Sequence, residues 1–385
     1  MDKPNVLLIY MDCLRRDHVQ FMPNLLKQVS KSGWTEFANH RTVAHCSDPN
    51  FLSIFTGDMP DSTGVFTQMG AAFNKTFPTL QMLFRYHGWR TWAYEPIRTA
   101  KFYRAGFEDV LLHETSDVSP VLGPGIRKVI ESYGTDPWFG FMRIMDTHYP
   151  YIGEQLPTSP DGLRSQYKKA VQHLDQFVPK LLKYIQKQHP NTVIVVGSDH
   201  GEQMGDRGLW DHLFTLTETL VRVPLFIFVP DTQSKVYSGW TQHTIIANIL
   251  RTAAGIQDID PFWSFLNDQM NSWDLPVTDA MFYTAWGCAK WEGWKHRAVS
   301  LLTKSHEYKY TMNWSIEGDM LVELHIDGDE GKNFFGPNEA SAEMVSMMAN
   351  HFPNAPVPAL ALQKESTWTD TLFGFKVFGK DGMND

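Results

Sequence analysis

The amino-acid sequence predicts an α/β protein in which a large, mostly parallel sheet is sandwiched between helices, with a small C-terminal α+β subdomain. Short apolar runs such as Asn5–Met11 alternate with amphipathic helical patterns such as that of residues 165–188, as in chains that build parallel sheets. The 385 residues, 43% of them hydrophobic, suffice for such a core. Alternating strands and polar turns follow, so we expect a main domain over residues 1–285 and an antiparallel-sheet subdomain with a tail over residues 286–385.

Individual elements follow from the spacing of apolar residues. Continuous apolar runs, typical of strands buried on both faces, predict strands at residues 5–11, 138–144, 192–197 and 223–229. Helical periodicity predicts helices over residues 23–32, 79–87 and 165–188. The subdomain is expected to contain strands at residues 296–302, 308–314 and 320–326 and a helix at 341–351.

Chemically active side chains follow two of the predicted strands directly. Asp12 comes after the first strand, and Asp199 and His200 follow the strand at residues 192–197. In open α/β sheets ligands bind beyond the carboxyl ends of the strands. We therefore expect these three residues to share one site.

Charge and cysteine content restrict the partners and the compartment. The formal charge of −9 is spread along a chain without a Lys/Arg-rich tract, which argues against nucleic acid or an anionic membrane as a partner. The apolar run near the N-terminus, about five residues long, is too short for a signal peptide or a membrane span. Cys13, Cys46 and Cys288 lack metal-ligand spacing and fit a reducing compartment. We expect a cytoplasmic protein, and a homo-oligomer is left open.

Several ordered segments carry a family resemblance. Residues 12–18 (DCLRRDH), 47–51 (SDPNF) and 198–202 (SDHGE) resemble, in order and distance, motifs of the sulfatase family within the alkaline phosphatase superfamily. Further similar segments are MPNL at 22–25, DTHYPY at 146–151, GLW at 208–210, RVPL at 222–225 and ELH at 323–325. The resemblance covers most of the chain. It implies an alkaline-phosphatase-like fold and a metal-dependent hydrolase of sulfate or phosphate esters.

The strand-end residues supply ligands for one divalent cation. Asp12 and Asp199 offer carboxylate oxygens, and His200 adds an imidazole. Cys13 stands where many sulfatases have a second acidic ligand, which favours manganese, zinc or iron and leaves calcium or magnesium open. Alternatively, each aspartate caps a helix and His200 only hydrogen-bonds to the ligands.

Ser47 is the predicted nucleophile and a further metal ligand. The family's nucleophile lies ten residues before the glycine of its L-L-T-G segment, which is Gly57 here, and Pro49 occupies the expected third place. Coordination to a cation can deprotonate such a hydroxyl for attack on an ester. Alternatively, Ser47 or Asp48 only caps the following helix, and Cys46 is a minor candidate for the nucleophile.

Phe51 is a departure from the resemblance. It replaces the arginine of the motif C/S-x-P-x-R, which the machinery that makes formylglycine reads, and this argues against formylglycine at Ser47. An unmodified serine suits phosphoryl transfer, as in related branches that cleave phosphodiesters and phosphonates. The chain could therefore be a phosphodiesterase, a phosphonate monoester hydrolase or a phospho-group transferase, or a non-catalytic binding protein on the same fold.

Positive groups are needed to receive a small anionic ester in an acidic protein. The resemblance places His148 and His212 beside the substrate, as ligands of its oxygens or as acids for the leaving group. A loop or surface histidine is the alternative for each. Arg143 and Lys101 are further candidates for a positive charge in this site.

Overall fold

A computed structural model describes residues 3–65, 79–96, 103–113, 124–152, 159–212, 216–256, 287–288, 296–302, 308–315, 320–326 and 330–351. The main element is an eight-stranded sheet. Its strands are β1 (Asn5–Met11), β2 (Trp34–Arg41), β3 (Arg90–Pro96), β4 (Asp109–His113), β5 (Trp138–Ile144), β6 (Thr192–Gly197), β9 (Leu225–Phe228) and β10 (Lys235–Gln242). They are arranged in the order β10-β2-β9-β6-β1-β5-β3-β4.

Strand β1 is the centre of the sheet and determines where the site forms. It lies between β5 and β6 and runs parallel to both. The carboxyl ends of all three strands therefore meet at one edge, with Asp12 directly after β1. Strand β9 is antiparallel to both of its neighbours, β2 and β6.

Helices cover both faces of this sheet. Alternate side chains of β1 point to opposite faces: Leu7 and Ile9 belong to one apolar core and Val6 and Leu8 to the other. The helices are α1 (Pro23–Val29), α2 (Ser47–Thr56), α3 (Pro60–Thr63), α4 (Leu80–Tyr86), α5 (Pro124–Ser132), α6 (Pro160–Gln188), α7 (Glu218–Val221) and α8 (Thr244–Ala253), with a 3₁₀ helix at Arg16–Phe21.

Two smaller sheets complete the described structure. Strands β7 (Gln203–Asp206) and β8 (Leu209–Asp211) form a hairpin after the SDHGE segment. A second antiparallel sheet contains β11 (Gly287–Cys288), β12 (His296–Leu302), β13 (Tyr308–Ser315) and β14 (Met320–Ile326), and the helix α9 (Glu339–His351) follows.

The predicted fold class is confirmed. Strands β1, β5 and β6 have the predicted bounds, and α6 begins five residues earlier than predicted. The run at residues 223–229 forms a strand, but an antiparallel one. An apolar pattern shows that a strand is buried on both faces and does not show whether it runs parallel or antiparallel to its neighbours. The division at residue 285 lies outside the described residues and stays a prediction. Within the described ranges, no helix combines the length and the hydropathy needed to span a membrane.

Candidate active site

The carboxyl ends of β1 and β6 are joined by one buried hydroxyl. Ser198 accepts a hydrogen bond of 2.9 Å from the amide of Leu14 and donates one of 2.7 Å to the carbonyl of His200. Beyond β1, Thr147 donates to the carbonyl of Asp12 at 2.6 Å. These bonds fix the two loops that carry Asp12, Asp199 and His200.

Gly201 lets the second loop pass close to helix α7. A Cβ atom at this position would lie 1.9 Å from the carbonyl oxygen of Thr219, which no side chain could occupy. The amide of Gly201 instead donates to the carbonyl of Leu220 at 2.7 Å. The glycine of the SDHGE segment is therefore required for packing.

Asp12 uses its two carboxylate oxygens differently. Oδ2 accepts hydrogen bonds from Nε of Arg143 at 2.8 Å and from Nη2 at 2.5 Å. Oδ1 lies 3.7 Å from Nε2 of His200 and accepts a weak bond from the Cys13 thiol. Burial alone would raise the pKa of Asp12, but Arg143 holds it well below its usual range, so the carboxylate is charged.

His200 presents an unshared electron pair to the site. Its Nδ1 lies 2.9 Å from the carbonyl of Gly201. Because a carbonyl can only accept, the ring proton is on Nδ1 and Nε2 is the acceptor. Nε2 lies 3.5 Å from Oδ2 of Asp199 and 3.1 Å from Oγ of Ser47.

Asp199 is a fully buried carboxylate whose oxygens both lack a well-formed hydrogen bond among the described residues. Burial, and then the charge of Asp12, raise its pKa. A buried anion with so little compensation is costly, and a cation would lower that cost. The backbone carbonyl of Asp199 is fixed from behind by His243, whose Nε2 donates to it at 2.8 Å.

These groups fit a divalent metal. One ligand atom each from Asp12, Asp199 and His200 lies within 4.8 Å of the others, a spacing compatible with metal–ligand bonds of about 2.0–2.2 Å. The mixed oxygen and nitrogen set is typical of manganese, zinc and iron sites. The described helices that follow these residues in the chain have Arg15 and Thr217 as N-cap residues, so neither Asp12 nor Asp199 caps one of them.

Ser47 is brought to this ligand set by helix α2. Cys46 is the N-cap residue of the helix, and no side chain caps it. The Ser47 hydroxyl instead accepts a bond of 2.9 Å from Nη2 of Arg143 and donates to Nε2 of His200 at 3.1 Å. Asn50 braces the loop before the helix through bonds to residues 43, 44 and 46.

The two candidate substrate histidines lie side by side, with ring centroids 5.6 Å apart. His212 is also 4.5 Å from the His200 ring. Burial alone would lower the pKa of His212, but Glu202 and Asp211, at 3.3 and 2.8 Å from Nδ1, raise it well above its ordinary value. The imidazole is therefore protonated and can donate a proton.

His148 is held through its backbone neighbours. Its Nδ1 donates to the carbonyl of Tyr149 at 2.6 Å, which leaves Nε2 as a free acceptor or ligand. His148 also belongs to a group with Asp12 and Cys13 whose possible ligand atoms lie within 4.8 Å of one another. The structure thus brings both histidines to the Asp12–Ser47 site.

Two neighbours of the site show what sequence reasoning missed. Cys13 has a backbone φ of 63° and its buried thiol lies 3.9 Å from Nδ1 of His212. His243 donates a hydrogen bond to the backbone carbonyl of Asp199. No pattern in the sequence indicates this contact. Lys101 lies outside the described residues.

Comparison with known proteins identifies the family of the chain. The family model described as Sulfatase matches residues 4–256. An uncharacterised protein of Haemophilus influenzae is 22% identical over 257 residues, or 64% of this chain, and the chain spans only 40% of its length.

Solved structures share the fold at low sequence identity. A phosphonate monoester hydrolase from Silicibacter pomeroyi is 16% identical with a TM-score of 0.72, and the match covers 94% of this chain and 97% of that one. A putative sulfatase from Bacteroides thetaiotaomicron is 17% identical with a TM-score of 0.73, covering 91% and 92%. Because the family model matches well over half of the chain, this protein belongs to the sulfatase family.

Proposed function

We propose that this protein is a metal-dependent hydrolase that cleaves phosphodiesters or phosphonate monoesters, with unmodified Ser47 as the nucleophile. One observation carries the proposal: the Ser47 hydroxyl lies between Arg143 and His200, beside the buried carboxylates of Asp12 and Asp199. A hydroxyl in this position can attack directly. The substrate is a small anionic ester.

The residue that replaces the motif arginine supports an unmodified serine. Phe51 is fully buried, with its ring packed at 5.4–5.5 Å from the rings of Tyr10, Tyr103 and Phe141. Formylglycine formation depends on an arginine at this position in the family motif. Phosphorus chemistry does not need the aldehyde, because water can attack a phosphoserine at phosphorus.

Asp12, Asp199, His200 and Ser47 would hold the metal. When bound, the cation polarises a non-bridging oxygen of the ester and lowers the pKa of the serine hydroxyl. Ser47 Oγ, after losing its proton to solvent, forms a bond to phosphorus, and the bond from phosphorus to the leaving oxygen breaks. His212 donates a proton to that oxygen, with His148 beside it.

The second half of the reaction restores the enzyme. Water attacks phosphorus and gives one proton to His212, and the bond from Oγ to phosphorus breaks. Ser47 then regains a proton from solvent. If an alcohol replaced water in this step, the protein would be a transferase, and the assay below includes an alcohol acceptor for that reason.

Sulfate esters are the second candidate, favoured by the family match over residues 4–256. Sulfate monoesters, phosphodiesters and phosphonate monoesters all carry one negative charge, so charge does not separate them. The chemical state of residue 47 is therefore determined together with turnover, because an aldehyde would favour the sulfatase route and a plain serine would favour phosphoryl transfer.

The test is a paired assay on the metal-loaded chain. It measures turnover of bis(p-nitrophenyl) phosphate, p-nitrophenyl phenylphosphonate and p-nitrophenyl sulfate, with mass spectrometry of the peptide that contains residue 47. We expect a plain serine and at least about tenfold faster turnover of a phosphorus ester. An aldehyde at residue 47 with preferred sulfate turnover would overturn the proposal, and no bound metal with no turnover would indicate a binding protein.

A further inference from the structure

Arg143 contacts the proposed nucleophile from an element that does not contain it. Arg143 is the sixth residue of β5, whereas Ser47 is the first residue of α2. Its Nη2 donates to Ser47 Oγ at 2.9 Å, and Nε and Nη2 together hold Oδ2 of Asp12. The guanidinium therefore connects the nucleophile to a proposed metal ligand.

The side chain of Phe51 forms part of the socket that holds this guanidinium. Cζ of Arg143 lies 5.1 Å from the ring centroids of both Phe51 and Tyr103, within the range of cation–π attraction. Phe51 is four residues after Ser47, on the same face of α2. An arginine at residue 51 and the guanidinium of Arg143 would compete for the same space beside Ser47.

Because Phe51 replaces the motif arginine and Arg143 contacts Ser47 from strand β5, we infer that Arg143 is a catalytic residue. It stabilises the negative charge on Ser47 Oγ, in place of an arginine on helix α2. The inference rests on the proposed function. A charge-assisted bond to a developing oxyanion stabilises the transition state more than the neutral hydroxyl of the resting enzyme. It therefore lowers the barrier to attack.

Arg143 has a second effect on the carboxylate of Asp12. Because the guanidinium occupies Oδ2, the oxygen left for the cation is Oδ1, which lies 3.7 Å from Nε2 of His200. Arg143 thus fixes which oxygen is presented to the cation. A lysine could hold Oδ2 or reach Ser47, but its single ammonium could not reproduce both bonds in the same plane.

The surroundings leave the charge of Arg143 available for these two bonds. Glu95, on the adjacent strand β3, is fully buried, and neither of its carboxylate oxygens has a hydrogen-bond partner among the described residues. Burial raises the pKa of Glu95 to about 8 despite Arg143. A neutral Glu95 does not compete for the guanidinium at neutral pH.

The test is chemical rescue of the Arg143→Ala variant. We expect kcat for the phosphorus ester, measured at saturating metal because Asp12 also loses a partner, to fall on the order of 10²–10³-fold, with KM little changed. Added guanidinium chloride at millimolar concentration should restore at least about a tenth of the lost activity in a saturable way, as expected of a cation binding in the vacated space. Urea, which has a similar shape and no charge, should restore none.

Two further variants keep the test decisive. In Phe51→Arg/Arg143→Ala, the arginine on α2 should recover part of the kcat lost by the single variant. Should Arg143→Ala fail to fold, Arg143→Lys replaces it, with kcat expected to fall at least about tenfold while metal stays bound. Arg90→Ala, which removes an exposed arginine paired with Glu108, is the matched control.

Several results would overturn the inference. They are unchanged kcat in a folded, metal-loaded Arg143→Ala or Arg143→Lys variant, no rescue by guanidinium, or equal rescue by urea. Failure of the proposed function looks different, because the wild-type protein itself would then turn over none of the esters.

Discussion

The hydroxyl of Ser198 receives a hydrogen bond of 2.9 Å from the backbone amide of Leu14, across two neighbouring strand ends. The same hydroxyl donates to the carbonyl of His200 at 2.7 Å. One side chain thereby sets the distance between the loop that carries Asp12 and the loop that carries Asp199. The proposed metal site therefore depends on this bridge as well as on its ligands.

Replacing Ser198 by alanine should weaken metal binding without removing a ligand. The amide of Leu14 would lose its buried acceptor, which costs about 1–3 kcal/mol. We expect the metal dissociation constant to rise about 10–100-fold, as for other residues that orient ligands. Competition with a metal-sensitive dye measures it, and unchanged affinity would show that the loops are held by other contacts.

Ser47→Ala should abolish turnover and leave the fold intact. The loss in kcat should be on the order of 10³-fold or more, because the variant has no atom to form the covalent intermediate. Ser53→Ala is the matched control on the same helix, since Ser53 is also fully buried and its hydroxyl has no hydrogen-bond partner among the described residues. Retained activity in Ser47→Ala would remove Ser47 as the nucleophile.

Metal removal should abolish activity and lower thermal stability. Without the cation, the carboxylates of Asp12 and Asp199 repel each other in a buried site, where burial and Asp12 raise the pKa of Asp199. We expect chelation to reduce the melting temperature, and manganese, zinc or iron to restore activity. In Asp199→Asn, elemental analysis should find little bound metal, whereas Asp17→Asn, at a half-exposed aspartate paired with Arg15, should bind it normally.

The ion pairs that Glu218 forms with Lys309 and Arg41 should make the free energy of unfolding sensitive to acid. Burial alone would raise the pKa of Glu218, but Lys309 and Arg41, both within hydrogen-bond distance, lower it to about 2. Because this folded-state value is below the ordinary value of 4.5, the pair contributes stability above pH 4.5 and loses it as pH falls toward 2.

Lys309→Met tests this pair. At pH 7 the variant should be less stable by about 2–3 kcal/mol, less than a fully buried pair would lose, because the Glu218 side chain retains 23% exposure. Urea denaturation should show the difference from the wild type shrinking between pH 4.5 and pH 2. A constant difference across that range would mean that neither of the carboxylates paired with Lys309, Glu218 and Glu330, is the titrating group.

Much of the fold could be predicted from local patterns. Strands β1, β5 and β6 are mostly apolar because both faces are covered, and their bounds match the sequence prediction. Strands β2 and β10 were not predicted, because polar residues interrupt their apolar patterns. The antiparallel direction of β9 depends on its partners β2 and β6, which the apolar run at residues 223–229 does not specify.

The sequence by itself determined the strand-end positions of Asp12, Asp199 and His200 and the position of Ser47, because motif order and strand periodicity are local properties. Only the tertiary structure placed Arg143 on Ser47, since the two residues are 96 positions apart and meet through strand pairing and the packing of α2. It also gave Phe51 a role. Phe51, which stands where the family motif has an arginine, packs in the fold against Arg143, an arginine on strand β5.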